Sequence, residues 1–125
     1  MDVSLTLKVI TTLTGLLMVG EALALLIGTL LIVEDTGGWL SLKNGLLLHI
    51  DIVTGVALIL VALLVKEFPR SPIFWTVTLI AVAAHVFRDW EYVTGGQNVF
   101  LANLGLFVLN NIKLAGLFLT PLLAR

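Results

Sequence analysis

The stretch Ala81-Val82-Ala83-Ala84-His85-Val86-Phe87-Arg88-Asp89-Trp90-Glu91-Tyr92 ends an apolar run in a histidine and then in a cluster of charges and aromatics. A membrane span leaves the hydrocarbon in this way, with Trp, Tyr and charged side chains gathered at headgroup level. His85 lies just inside the boundary. The chain has only 2 histidines, and the other is His49. Their relation decides whether the span carries a polar site buried in lipid.

Working outward, the composition agrees with a lipid environment. The 125 residues are 59% hydrophobic and 12% charged, well outside the usual mix for a domain in water. A formal net charge of −1, with no basic run, offers no face for nucleic acid. The absence of cysteine excludes disulfides, thiolate-held zinc, iron–sulfur clusters and covalently attached haem. The beginning Met1-Asp2-Val3-Ser4 lacks the basic segment and cleavage site of a signal peptide, so the first apolar run is expected to stay in the mature protein.

A helix crosses the hydrocarbon layer in roughly 20 mostly apolar residues. Four such stretches occur, at about 5–33, 42–65, 73–92 and 99–119. Polar breaks separate them: Glu34 and Asp35 before paired glycines, Pro69 and Pro72, and the run 94–98. The expected fold is all-α, a single integral-membrane four-helix bundle with short connections and up-down-up-down topology. Lys8, Lys66, Arg70 and Arg125 fall on one side and only Lys43 and Arg88 on the other, which puts both termini in the cytoplasm. The cell membrane is the expected location. Trp39, Trp90 and Tyr92 would form the outer aromatic belt, and Phe68, Phe74 and Trp75 the inner one.

Ionisable groups at membrane depth are costly, about 2.5 to 3.5 kcal/mol each on insertion scales, so each is a candidate for function. Glu21, His49, Asp51, His85 and Lys113 meet that criterion. His49 lies six residues inside Lys43 and His85 seven inside Tyr92, which places both rings about 9 to 10 Å below the outer surface. Asn103 falls near the same layer. Asp89, one turn beyond His85, is placed to orient the imidazole or, more simply, to pair with Arg88. Deeper, Glu21 reaches the level of Asn110 and Lys113, and Asn103, Asn110 and Lys113 share one face of the last helix. Interhelical hydrogen bonds with a Glu21–Lys113 pair are the simple reading of that layer, and a proton path or quinone-headgroup site the sharper one. Gly15, Gly20 and Gly28 point to close packing of the first helix, and Gly45 leaves room beside His49.

Two histidines from different helices at one depth have the makings of axial ligands for haem b, with Arg88 near a propionate. The leading expectation is therefore a small subunit of a respiratory or electron-transfer complex, exchanging electrons with quinone or a partner redox centre. Neighbouring helices pack at about 8 to 10 Å, too close for a haem held face-on, so the second and third helices would have to be diagonal or splayed. The same histidines with Asp51, Asp89 or Glu91 form a weaker metal set, or ligate a chlorin, or hold nothing. No nucleophile–base pair or phosphate-binding loop is evident, which favours a subunit of a membrane oxidoreductase over an enzyme acting alone. The alternatives are an accessory subunit without a cofactor, and a small proton channel or transporter using Glu21 and the polar face of the last helix.

Overall fold

The computed structural model of the protein describes residues 3–32 and 42–124. These form α1 (Val3–Ile32), α2 (Leu42–Leu64), a 3-10 turn at Phe68–Arg70, α3 (Pro72–Thr94), a short α4 (Gln97–Ala102) and α5 (Leu104–Leu123), with no strand among the described residues. Four helices are long and apolar enough to cross a membrane, over Leu5–Ile27, Leu47–Leu64, Pro72–Thr94 and Leu104–Leu123. The chain is all-helical and of the multi-pass membrane type. Its outward faces suit lipid: Leu13, Val53, Leu79 and Ile112 are each more than half exposed. The predicted turn at 34–38, Trp39 and Arg125 lie outside the described residues, as do the surroundings of Gly28, Lys43 and Gly45.

α1 packs against α2 and α5, and α3 packs against the same two, so the long helices close a ring in which α2 and α3 are neighbours. The α1–α2 seam is the tightest. A Cβ on Gly55 would sit 2.7 Å from Val19 Cγ2 and 2.9 Å from the Gly15 carbonyl oxygen, and one on Gly15 would sit 2.7 Å from the Gly55 carbonyl oxygen. These helices therefore meet backbone to backbone, as small residues permit in membranes. Gly20, expected to pack in the same way, has nothing within 4 Å of its Cβ position.

The break between α2 and α3 follows from its residues. Glu67 takes a left-handed conformation (φ 54°), Pro69 and Pro72 remove backbone donors, and the Ser71 hydroxyl caps α3 by accepting from the Ile73 amide at 3.3 Å. Phe68 and Phe74, expected in an interfacial belt, are buried instead. Their rings meet edge to face at 5.3 Å because the turn folds Phe68 back under the bundle. Trp75 keeps the belt role: it is half exposed and donates through Nε1 to the Pro69 carbonyl at 2.6 Å. The fourth span differs from its expected bounds. Asn103 interrupts it between α4 and α5, and α5 continues through Pro121 to Leu123.

Candidate functional site

Each long helix brings ionisable or amide side chains to one buried cluster. α1 gives Glu21, α2 Asp51, α3 His85, Arg88 and Asp89, and α5 Asn110, Asn111 and Lys113. Helical spacing sorts the residues. On α2, Asp51, Thr54, Gly55 and Leu58 form the inward stripe and are all buried, whereas Val53, Val56 and Leu60 on the far side are exposed. On α3, Ala81 stands one turn before His85 and, having only a methyl, leaves space for the ring.

Asp51 is the hub. Arg88 donates through Nη1 to its Oδ2 at 2.7 Å, Lys113 Nζ lies 3.7 Å from the same oxygen, and His85 Nε2 lies 3.6 Å from Oδ1. Lys113, with none of its side chain exposed, also pairs with Glu21. Asn110 donates through Nδ2 to the His85 carbonyl at 2.9 Å and to Asp89 Oδ1 at 2.7 Å, and Asn111 donates to the same carboxylate at 3.1 Å. Beyond this layer Tyr92 and Phe100 each meet Phe107 edge to face, at 6.1 and 5.0 Å, which places aromatic rings between the polar layer and the end of the bundle where α4 connects α3 to α5.

The tautomer of His85 follows from its neighbours. Its Nδ1 lies 2.6 Å from the Ala81 carbonyl oxygen, which can only accept, so Nδ1 carries a proton. In a neutral ring Nε2 then presents a lone pair to the Asp51 carboxylate. That approach becomes attractive only with a further proton between the two groups. Around it the carboxylates of Glu21 and Asp51 face the cations Lys113 and Arg88, while that of Asp89 is held by the Asn110 and Asn111 amides. Asp51 Oδ1, His85 Nε2 and Asn110 Oδ1 are buried without a hydrogen-bond partner. Acceptor capacity is thus concentrated beside His85.

The residues singled out from the sequence divide accordingly. Glu21, Asp51, His85, Arg88, Asp89, Asn110 and Lys113 come together. His49 and Asn103 do not: His49 is on the exposed side of α2, two residues and more than half a turn from Asp51, and Asn103 sits at the α4–α5 junction. The group that α2 presents to His85 is Asp51. Arg88, expected near a propionate, is engaged by Asp51. Among the described residues no three His, Asp or Glu side chains are grouped to hold a metal ion. Asn111 was not foreseen, although its place beside Asn110 at the turn facing Asp89 is a usable signal. Compared with protein-family models, with curated proteins and with solved structures, the chain matches none.

Proposed function

We propose that the protein is a small proton-handling membrane protein, a channel or transporter subunit of the cell membrane, in which the Glu21–Asp51–His85–Lys113 cluster takes up and releases one proton. The observation that supports this most strongly is the facing of His85 Nε2 and Asp51 Oδ1 at 3.6 Å inside a bundle at lipid depth, where both atoms are buried and neither has a donor. The proposal includes up-down-up-down topology with both termini cytoplasmic, from the bias of Lys8, Lys66 and Arg70.

Proton flux into liposomes under an imposed potential is the test. The expected result is flux that falls at least tenfold in Asp51→Asn and in Glu21→Gln but persists in Gly20→Ala, whose added methyl meets nothing. Wild-type vesicles no leakier than empty ones would refute the reading.

A second reading is favoured by the pairing itself. Glu21 with Lys113 and Asp51 with Arg88 are interhelical ion pairs of the kind that hold a bundle together, which suits an accessory subunit beside larger membrane partners. The electron-carrier expectation takes no support from this arrangement, because α2 and α3 are neighbours and His49 stands on the exposed face. Its own test is a Soret band from protein made in haem-replete cells.

A further inference from the structure

Two helical turns from the charged cluster lies a second polar layer, in the same register on three helices. Stepping seven residues from Glu21 leads to Thr14, from His85 to Thr78 and from Lys113 to Thr120, while from Asp51 the same step leads to Leu58. All four residues line one small void of about 10 Å³, together with Thr11 and Gly116. A void of this size is at the lower bound for holding one water, about 10 to 15 Å³, and such a water needs two or more polar partners.

The hydroxyls supply them. Thr11 and Thr120 share a hydrogen bond at 2.8 Å, with one of the two donating, and Thr14 donates to the Ile10 carbonyl at 2.8 Å, so each layer member keeps acceptor capacity. Thr78 differs: its Oγ1 is buried and has no hydrogen-bond partner, with only 6% of the residue exposed. A hydroxyl in an apolar interior is expected to be satisfied by protein or by water. Gly116 keeps the space open, because a methyl there would run into Thr14 Oγ1. On the chain-end side, Leu7 and Pro121 border a much larger cavity of about 560 Å³ that is also lined by Lys8, Arg70 and Trp75. Leu7 is one turn from Thr11 and Pro121 is next to Thr120, so a single residue layer separates cavity from void. On the cluster side the intervening layer is Met18, Ala81 and Leu117 with Thr54 and Gly55 of α2, all buried.

We propose that the threonine layer is a binding site for one water molecule, held by Thr78 and its neighbours, and that this water is the intermediate station between the end cavity and the charged cluster. The site stands on the void and the unpartnered hydroxyl; its role as a station rests on the proton-handling reading. A proton arriving from the cavity side joins the water while another leaves it toward the cluster, so the water is unchanged after each passage. Met18, with its flexible thioether, is the apolar barrier that must move for the second transfer.

Two readouts test this on the full chain in liposomes. In magic-angle-spinning NMR, polarisation transfer from water to the Thr78 side chain is expected to be strong in the wild type and lost in Gly116→Ala, whose methyl drives Thr14 into the void. No transfer in the wild type would overturn the site. Proton flux in Thr78→Val, which keeps the side-chain shape and removes the hydroxyl, is expected to drop at least tenfold while the Lys113–Glu21 contact stays intact. Thr78→Val with wild-type flux would overturn the station. Flux absent from the wild type with water still detected at Thr78 would support the site while refuting the proton reading.

Discussion

At the scale of single residues, Asp51 carries the most weight. It answers Arg88, Lys113 and His85 together, so Asp51→Asn takes from Arg88 its ion-pair partner in the bundle interior, while Lys113 keeps Glu21. Breaking a buried pair in this way costs about 3 to 5 kcal/mol. The variant should show that loss as a fall in the unfolding midpoint in detergent. Neutralising both members of the other pair, in Glu21→Gln with Lys113→Met, is expected to restore most of the stability lost in either single variant, because replacing a whole buried pair by neutral groups is close to neutral. If proton flux stays absent in that double variant, its charges serve more than cohesion. Most of these residues were legible in the sequence, since an ionisable group inside an apolar run stands out without any partner being known. Which of His49 and Asp51 faces the bundle was less plain. Both are polar and near one depth, and only the stripe that each continues separates them: small and polar residues at Thr54 and Gly55 follow Asp51, large aliphatics at Val53, Val56 and Leu60 follow His49.

Among the helices, the α1–α2 seam and the α2–α3 turn define the framework that holds the cluster. Gly55→Ala should separate α1 from α2, because its methyl meets the Gly15 carbonyl, a backbone atom that cannot turn aside. The expected outcome is a destabilisation of about 1 to 3 kcal/mol, as for other overpacked cores, measured by the unfolding midpoint. Gly20→Ala, on a face with open space, should instead stabilise by about 0.5 to 1 kcal/mol through helix propensity alone. The four spans were readable because hydropathy and prolines mark them strongly. The interruption at Asn103 and the inward turn of Phe68 and Phe74 were not readable, since both depend on tertiary packing: an aromatic at a span boundary fits an interfacial belt as well as a core until the chain's path past Pro69 is known. The threonine layer was overlooked because isolated threonines are ordinary in membrane helices. Its signal is the common seven-residue offset from the charged residues on α1, α3 and α5.

For the molecule as a whole, the organisation is one of stacked layers: a cavity at the end lined by Lys8 and Arg70, threonines around a small void, a mainly apolar layer at Met18, Ala81 and Leu117 with Thr54, then the charged cluster. Sidedness is accessible to direct measurement because the chain has no cysteine, so single introduced thiols report alone. In right-side-out vesicles a thiol at Lys66 should resist a membrane-impermeant reagent while one at Gln97 reacts; the opposite pattern would invert the proposed topology. Everything said of the site depends on the helices meeting through Glu21 with Lys113 and Asp51 with Arg88 in lipid. Heteronuclear distance measurement by magic-angle-spinning NMR, from the Lys113 Nζ to the Glu21 carboxyl and from the Arg88 guanidinium to the Asp51 carboxyl in bilayers, tests this most directly. Both pairs are expected in direct contact; a Lys113 ammonium reaching toward the headgroups, with no coupling to Glu21 or Asp51, would contradict the buried cluster.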